Sequence, residues 1–293
     1  TRRYTQFLQS KYNGPHQPNG IKVVLDCSNG ATHKAAPSLF QSLGFDFDAL
    51  FASPDGKNIN VDCGSEHPLT LQQTVLKKKA DIGLAFDGDG DRLIAVDNEG
   101  TVATGDQILC ICAKMLKDTG LLSNNLVVST VMSNMGLGVA LRELAIDHLT
   151  ARVGDRYVFE KMRENGAIIG GDDSGHMLFL DQHTTGDGIL TALKLIESLV
   201  FENKPLSELK KIMPIFPQCL MNVTVTQKPD INSIPELKAA IEDTEAKLAG
   251  KGRVLVRYSG TQPYCRIMVE ASSDADTKRY CQRLVDVVKA RIG

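Results

Sequence analysis

Short apolar runs alternate with helical patterns along the first two thirds of the chain. Residues 21–25, 45–51 and 82–86 are apolar runs that predict buried strands, and residues 32–43 and 69–79 predict the helices between them. A strand, a helix and a strand in this order predict a βαβ unit, and such units form parallel sheets. The first part of the chain is therefore predicted to be an α/β domain.

A second stretch of the chain repeats this order. Residues 126–131 predict a strand and residues 137–144 predict a helix. Two later stretches share a polar Gly/Asp loop, a basic residue, four apolar residues and an Asp, and they are residues 87–97 and 171–181. A Thr-Gly-Asp-x-Ile-Leu signature follows each of them, at residues 104–109 and 185–190. Matches in the same order predict a duplication, and therefore two α/β domains of one topology.

The pattern changes again after Pro205, Pro214 and Pro217. The strands predicted beyond them are residues 220–225, 253–257 and 265–270, and the helices are residues 234–248 and 274–291. This β-α-β-β-α order predicts a small α+β domain. The expected organisation is an α/β domain at 1–103, an α/β domain at 104–214 and an α+β domain at 215–293.

Composition and charge narrow the class of protein. The chain has 293 residues, of which 42% are hydrophobic and 23% charged, as expected of a soluble globular protein with two or three domains. A net charge of −2 gives no argument for nucleic acid or an anionic membrane as partner, and no apolar run reaches membrane-spanning length. Seven cysteines without a C-x-x-C pair predict a reducing compartment, and we expect the cytoplasm.

The most informative loop lies between the apolar runs 82–86 and 93–96. Asp87, Asp89 and Asp91 alternate there with two glycines, so that their carboxylates can face one point. Hard oxygen ligands on a tight loop, with coordination positions left for waters or phosphate, favour Mg²⁺. An EF-hand is excluded because its twelfth position holds Asn98 rather than Glu. The plain alternative is an acidic turn between two strands.

Basic residues accompany three of the predicted loops. Arg92 adds a planar fork for phosphate beside the acidic loop. The loop that contains Asp172, Ser174 and His176 offers acceptors and donors for sugar hydroxyls, and an imidazole can titrate near neutral pH. The phosphate-binding candidates between the last two strands are Arg257, Ser259, Gly260, Thr261 and Arg266. Ordinary turn chemistry is the alternative for that loop, and a structural histidine is the alternative for His176.

Taken together, these loops resemble those of the α-D-phosphohexomutases. The resemblance rests on the metal loop DGDGDR at 87–92, the sugar loop GDDSGH at 171–176, the phosphate loop RYSGTQP at 257–263 and the run CRIMVE at 265–270. It covers essentially the whole chain. The connecting segments at 26–31, 63–68, 153–158 and 184–188 are most similar to the branch of the family that acts on glucosamine phosphates.

The resemblance implies a four-domain enzyme that moves phosphate between C6 and C1 of a hexose through a bisphosphorylated intermediate. It implies a phosphosugar substrate, Mg²⁺ as cofactor and a phosphoserine on the first domain, and it leaves a homodimer open. The roles it implies are Mg²⁺ binding by Asp87, Asp89 and Asp91, stabilisation of phosphoserine by Arg92, binding of sugar hydroxyls by Asp172 and Ser174, proton transfer by His176, and phosphate binding by Arg257, Ser259, Gly260 and Thr261.

The chain departs from the family pattern at three places. The family's T-x-S-H-N-P serine loop is absent, so we expect the chain to begin at the family's second domain and to be inactive by itself. Ser65 only superficially resembles the serine of that loop. Asp172 and Gln262 stand where the family usually has Glu. These two changes leave the sugar preference open, and a glucose or mannose phosphate is the alternative substrate.

Two other classes of protein also remain possible interpretations of the sequence. In an aspartyl-phosphate phosphatase of the HAD type, Asp87 is the nucleophile and Asp89 the acid or base, and no upstream serine is needed. In a binding module, the chain is a non-catalytic receptor for a sugar phosphate. Both readings use the same acidic loop, so the sequence alone does not separate them.

Overall fold

The computed structural model describes residues 1–15, 20–260 and 262–293. The chain divides into two compact units, one formed by residues 1–133 and 137–213 and the other by residues 134–136 and 214–293. Its strands are β1 (Lys22–Asp26), β2 (Asp46–Leu50), β3 (Ile82–Phe86), β4 (Leu93–Asp97), β5 (Val102–Ala103), β6 (Leu126–Thr130), β7 (Asp147–Ala151), β8 (Ile169–Gly171), β9 (Met177–Phe179), β10 (Gln218–Thr224), β11 (Arg253–Tyr258) and β12 (Tyr264–Glu270). Its helices are α1 (Arg2–Lys11), α2 (Thr32–Ser42), α3 (Leu69–Lys78), α4 (Gly105–Asp118), α5 (Met135–Glu143), α6 (Asp155–Asn165), α7 (Gly188–Glu202), α8 (Leu206–Leu209), α9 (Pro235–Leu248) and α10 (Asp274–Ile292).

The first sheet has the strand order β2-β1-β3-β4-β5. Strands β1, β2 and β3 are parallel, which confirms the βαβ prediction, whereas β4 and β5 are antiparallel to their neighbours. The predicted parallel sheet is therefore a mixed one. The reason is that a short loop connects β3 to β4, and such a loop can only form an antiparallel hairpin.

The second sheet has the order β7-β6-β8-β9, which matches the first four strands of the first sheet. Strand β6 is parallel to both β7 and β8, and β8 forms an antiparallel hairpin with β9. Both sheets lie in the first unit. The shared topology agrees with the duplication that the sequence predicts.

Helices α4 and α7 pack against each other in the core of the first unit. Both are buried along most of their length, and most of their buried positions are apolar. Cys110 and Cys112 lie inside α4 with at most 1% of their surface exposed, so both are core thiols. Helix α4 begins with a capping box in which Thr104 and Gln107 satisfy each other's backbone donors.

Helix α1 was not predicted, because its apolar face is narrow and only Leu8 is fully buried. A buried ion pair fixes the end of this helix to α7. Lys194 Nζ lies 2.9 Å from Glu197 Oε2 and donates to the carbonyl of Lys11 at 2.7 Å. Glu197 Oε1 accepts the backbone N–H of Asn13 at 2.8 Å. Each charge therefore has a partner inside the protein, as buried charges require.

The second unit is an antiparallel sheet of order β10-β12-β11 with helices α9 and α10. Its apolar core is formed by these helices and the sheet. The predicted β-α-β-β-α order is confirmed. Asn134 also belongs to this unit, where its side chain exchanges two hydrogen bonds with the backbone of Phe216.

None of the helices in the described parts of the chain is long and apolar enough to cross a membrane.

We predict that Glu197→Ala lowers the free energy of unfolding by about 3–5 kcal/mol, because it leaves the Lys194 ammonium buried without its carboxylate. The matched control is Glu160→Ala, which removes the exposed i,i+4 partner of Arg156 and should cost less than about 0.5 kcal/mol. Urea unfolding followed by circular dichroism measures both. Similar losses in the two variants would show that the buried pair has no special role.

Candidate functional site

The acidic loop between β3 and β4 gathers its three carboxylates as predicted. Each of Asp87, Asp89 and Asp91 has a carboxylate oxygen that lies within 4.8 Å of a carboxylate oxygen of the other two. Asp87 is buried, Asp91 is half-buried and Asp89 is exposed, so the cluster opens to solvent on the side of Asp89. This arrangement of hard oxygen donors fits a divalent cation that keeps part of its shell for water or phosphate.

Asp87 is held in place by the loop that it begins. Its Oδ1 accepts the backbone N–H groups of Gly90 and Arg92, both at 3.1 Å. Its Oδ2 accepts Arg92 Nε at 2.9 Å, and Arg92 Nη1 lies 3.4 Å from Glu66 Oε1. The guanidinium is therefore fixed beside the carboxylate cluster by two acidic residues.

The loop between β1 and α2 packs against the acidic loop and donates hydrogen bonds to its backbone. Ser28 Oγ donates to the carbonyl of Asp87 at 2.8 Å, and the N–H of Ala31 donates to the carbonyl of Gly88 at 2.8 Å. A Cβ on Gly30 would lie 2.2 Å from that Gly88 oxygen, so only glycine allows the two loops to approach this closely. The sequence predicted this loop as a strand end but gave no reason for its glycine.

The crowding of the carboxylates changes their pKa values in different directions. Burial opposes ionisation of Asp87, but its contact with the Asp89 carboxyl and the hydrogen bonds from Arg92 outweigh burial and lower its pKa. The neighbouring Asp87 carboxyl raises the pKa of Asp89. Burial, together with Asp87, raises the pKa of Asp91 to about 6. A divalent cation would relieve this repulsion, so the residues present fit Mg²⁺.

The sugar-loop candidates of the second repeat lie directly against the acidic loop. Arg92 and His176, which precede β4 and β9, form an antiparallel bridge. Within it, the N–H of Leu93 donates to the carbonyl of Gly175 at 3.0 Å. His176 Nδ1 lies 3.3 Å from Asp91 Oδ2. The sequence placed these residues in two separate loops, and the fold of the first unit brings them into one site.

Two further backbone hydrogen bonds hold these two loops, and each comes from the first residue of a helix. The N–H of Gly105, the first residue of α4, donates to the carbonyl of Asp173 at 3.1 Å. The N–H of Gly188, the first residue of α7, donates to the carbonyl of Gly90 at 2.9 Å. The Thr-Gly-Asp signatures thus mark the starts of the two helices that hold these loops, and the bond from Gly188 joins the two repeats.

Strand pairing corrects the predicted alignment of the two loops by one residue. Gly171 pairs with Met177 as Phe86 pairs with Leu93, so Gly171 corresponds to Phe86 and not to Asp87. Asp172 therefore takes the place of Asp87. The cause is that the loop between β8 and β9 is one residue shorter than the loop between β3 and β4. The predicted alignment is therefore correct from β4 and β9 onward, but not before them.

Asp172 organises its loop much as Asp87 does. Its Oδ1 accepts the N–H and the hydroxyl of Ser174, at 3.1 and 2.6 Å, and the N–H of His176 at 3.2 Å. Asp172 is half-buried and Ser174 is exposed. The sequence predicted both as sugar ligands, and the structure adds that Asp172 also shapes the loop from which they act.

Three residues of this site were missed by the sequence analysis. Glu66 contacts Arg92, as described above. Asp155 Oδ2 lies 4.0 Å from His176 Nε2, so that the imidazole stands between Asp155 and Asp91. Gly186 makes room for this ring, because a Cβ there would lie 2.2 Å from His176 Nε2. Asp155 and Gly186 belong to segments that contribute to the family resemblance, but only their proximity to His176 indicates a role.

The predicted phosphate-binding residues lie in the second unit, at the hairpin between β11 and β12. Arg257 and Arg266 stand directly opposite each other on these strands. Burial and the Arg266 charge lower the pKa of Arg257. Among residues 1–15, 20–260 and 262–293, no carboxylate lies within 4.0 Å of either guanidinium group. Two facing cations are unfavourable by themselves and favourable around an anion.

Ser259 begins this hairpin loop and is almost completely buried. Its hydroxyl accepts the N–H of Gln262 at 3.3 Å, so it helps to hold the loop closed. A Cβ on Gly260 would meet nothing within 4 Å, which leaves that side of the loop open. Thr261, the remaining phosphate-binding candidate, lies outside the described residues.

Fold and site together define a duplicated α/β protein with a cluster of three carboxylates on one loop, followed by an α+β unit that carries two facing arginines. Sequence models of the phosphoglucomutase/phosphomannomutase family match almost the whole chain, with α/β/α domain II at residues 2–100, α/β/α domain III at 104–216 and the C-terminal domain at 220–287. The chain belongs to this family.

Curated relatives match over nearly all of the chain. It is 55% identical to the phosphoglucosamine mutase of Syntrophus aciditrophicus (strain SB) over 99% of its residues, and 48% identical to that of Listeria monocytogenes serovar 1/2a, also over 99%. The chain spans 65% and 64% of the length of these two relatives.

Solved structures agree with this fold. A phosphoglucomutase/phosphomannomutase family protein of Burkholderia thailandensis is 26% identical, with a TM-score of 0.79 over 99% of this chain and 64% of that one. N-acetylphosphoglucosamine mutase of Aspergillus fumigatus, solved with GlcNAc-6P and magnesium, is 19% identical, with a TM-score of 0.79 over 97% of this chain and 69% of that one. At this low identity the second comparison supports the fold alone.

We predict that Mg²⁺ raises the thermal midpoint of the wild-type chain but not that of Asp89→Asn, because the variant loses one of three carboxylate ligands. Without Mg²⁺ the variant should be at least as stable as the wild type. The raised pKa of Asp89 means that its ionised form destabilises the folded chain at pH values above that pKa. Thermal melting at pH 8 with and without Mg²⁺ measures both effects, and an equal Mg²⁺ shift in the two proteins would contradict the site.

Proposed function

We propose that the chain is the metal-, sugar- and phosphate-binding part of a phosphoglucosamine mutase, which interconverts glucosamine 6-phosphate and glucosamine 1-phosphate. The observation that carries this proposal is the contact between Asp91 and His176, which joins a cation site to a sugar loop. Relatives that are 45–55% identical over nearly the whole chain support the glucosamine substrate through their names. Mg²⁺ as the cofactor and a cytoplasmic location are parts of the same proposal.

In this proposal the acidic loop positions the phosphoryl group. Asp87, Asp89 and Asp91 would hold Mg²⁺, which neutralises charge on the phosphoryl oxygens when it is bound. Arg92 donates to the same oxygens. Its Nε is already held by Asp87 and its Nη1 lies near Glu66, so the fork is oriented before a substrate arrives.

The second repeat and the last domain hold the sugar and its other phosphate. Asp172 and Ser174 bind sugar hydroxyls, and His176 transfers a proton at the reacting oxygen. Arg257 and Arg266 provide two guanidinium groups for the distal phosphate, which would relieve the repulsion between them. Phosphoryl transfer requires positioning and charge neutralisation above all, and these residues supply both.

The serine that carries the phosphoryl group is proposed to lie on a further domain. Ser65 is a poor substitute, because its Oγ is buried. Its backbone N–H is bound to the carbonyl of Phe86 at 3.0 Å, which fixes the residue beneath the end of β3. A nucleophile that exchanges phosphate with both ends of a sugar has to be accessible.

The phosphatase reading is less well supported by the geometry. A nucleophilic Asp87 has to reach the phosphorus atom of a bulky phosphate ester, whereas a metal ligand has to reach only a small ion. Asp87 is buried, and both of its oxygens accept hydrogen bonds from the loop and from Arg92. This arrangement is suited to a metal ligand that also fixes the loop.

We predict that the chain by itself, with Mg²⁺ and glucosamine 6-phosphate, forms no glucosamine 1-phosphate and releases no inorganic phosphate. Fusion to the phosphoserine domain of a family relative should give interconversion, and Asp89→Asn in the fusion should abolish it. A coupled assay for glucosamine 1-phosphate and a phosphate assay measure the two products. Phosphate release by the chain alone that is lost in Asp87→Asn would establish the phosphatase instead.

A further inference from the structure

The phosphate-binding hairpin of the second unit is braced by a lysine from a distant segment. Lys228 lies beyond the end of β10, and its Nζ donates to the carbonyl of Ser259 at 2.6 Å and to that of Gln262 at 2.9 Å. These carbonyls stand at the two ends of the loop. The N–H of Val225, in the same segment as Lys228, donates to the carbonyl of Pro263 at 2.9 Å.

We propose that Lys228 is a positioning residue for anion binding, which gives the hairpin loop its phosphate-binding conformation. This inference rests on the proposed function, because it assumes that the loop binds a phosphate group. Lys228 itself contacts backbone carbonyls of the loop, so its role is to fix those carbonyls.

The direction of the loop's carbonyl groups decides whether N–H groups or carbonyl oxygens face a bound anion. A trans peptide is planar, so its C=O and N–H point to opposite sides. When Lys228 holds the Ser259 carbonyl, the N–H of Gly260 points away from the lysine. Without the ammonium group, carbonyl oxygens of the loop are free to turn toward the bound anion and repel it.

The surroundings of the loop agree with this role. The side of Gly260 is open, since a Cβ there would meet no atom within 4 Å. Lys228, like Arg257 and Arg266, has no carboxylate within 4.0 Å in the part of the chain that the structure describes. The lysine therefore adds a third uncompensated positive charge near the same hairpin.

Two hydrogen bonds within the loop lie next to the carbonyls that Lys228 holds. The N–H of Gln262 donates to Ser259 Oγ at 3.3 Å, and the N–H of Tyr264 donates to the carbonyl of Gln262 at 2.8 Å. Release of the two carbonyls from Lys228 should loosen both bonds. Amide hydrogen exchange at Gln262 and Tyr264 reports this loosening without any ligand.

The test measures inorganic phosphate binding by the chain with isothermal titration, alongside amide exchange. Lys228→Met should weaken phosphate binding about tenfold, the loss expected for one charge-assisted interaction, and should speed exchange at Gln262 and Tyr264. Lys228→Arg, which can still donate to both carbonyls, should stay within about threefold of the wild type. The matched control is Lys251→Met, which removes the same charge from an exposed position in the same unit and should change neither readout.

The possible outcomes separate this inference from the proposed function. Equal losses of affinity in Lys228→Met and Lys251→Met, with unchanged amide exchange, would overturn the positioning role. If the wild-type chain binds no phosphate, and Arg257→Ala therefore changes nothing, the proposed phosphate site fails, and amide exchange alone decides whether Lys228 braces the loop. If Lys228→Met melts at a lower temperature than Lys251→Met, the same measurements are made on Lys228→Gln. That variant has to show faster amide exchange at Gln262 and Tyr264, and unchanged exchange there would overturn the positioning role.

Discussion

The site depends on backbone hydrogen bonds that join the two α/β repeats at their loops. The hydrogen bond from the N–H of Leu93 to the carbonyl of Gly175 joins the segments where β4 and β9 begin. The hydrogen bond from the N–H of Gly188 to the carbonyl of Gly90 joins the start of α7 to the acidic loop. Glycine is required at these contacts. A Cβ on Gly175, whose φ is +93°, would lie 2.1 Å from the Leu93 carbonyl oxygen. Any side chain there would force the two loops apart.

This joining of the two repeats explains why duplication is useful for the chemistry. The first repeat contributes the three clustered carboxylates. The second contributes His176, whose Nδ1 lies 3.3 Å from Asp91 Oδ2, together with the sugar-ligand candidates Asp172 and Ser174. Asp87 and Asp172 follow equivalent strands and fix their loops through the same kind of carboxylate–backbone bonds. The two copies have therefore kept one way of building a loop while diverging in what the loop binds.

The sequence predicted most strands, because buried strands are continuous apolar runs whose ends are marked by Asp, Asn and Gly. It missed helix α1, whose apolar face is too narrow to be distinguished from a polar segment, and it shifted the second loop by one residue because periodicity does not show loop length. The clustering of Asp87, Asp89 and Asp91 was predictable from their alternate spacing. The roles of Asp155, Gly186 and Lys228 were not, since each depends on a contact with a residue that is remote in the chain.

The central claim, that the acidic loop and His176 form one site, is tested most directly with Mn²⁺ in place of Mg²⁺, since this paramagnetic ion broadens the NMR signals of nearby nuclei. The imidazole signals of His176 are assigned by their loss in His176→Gln. We predict that substoichiometric Mn²⁺ broadens them, that excess Mg²⁺ restores them, and that the signals of His148, which binds Ser129 within the second sheet, broaden less. His176 signals that stay sharp while Mn²⁺ is bound at the acidic loop would contradict the account.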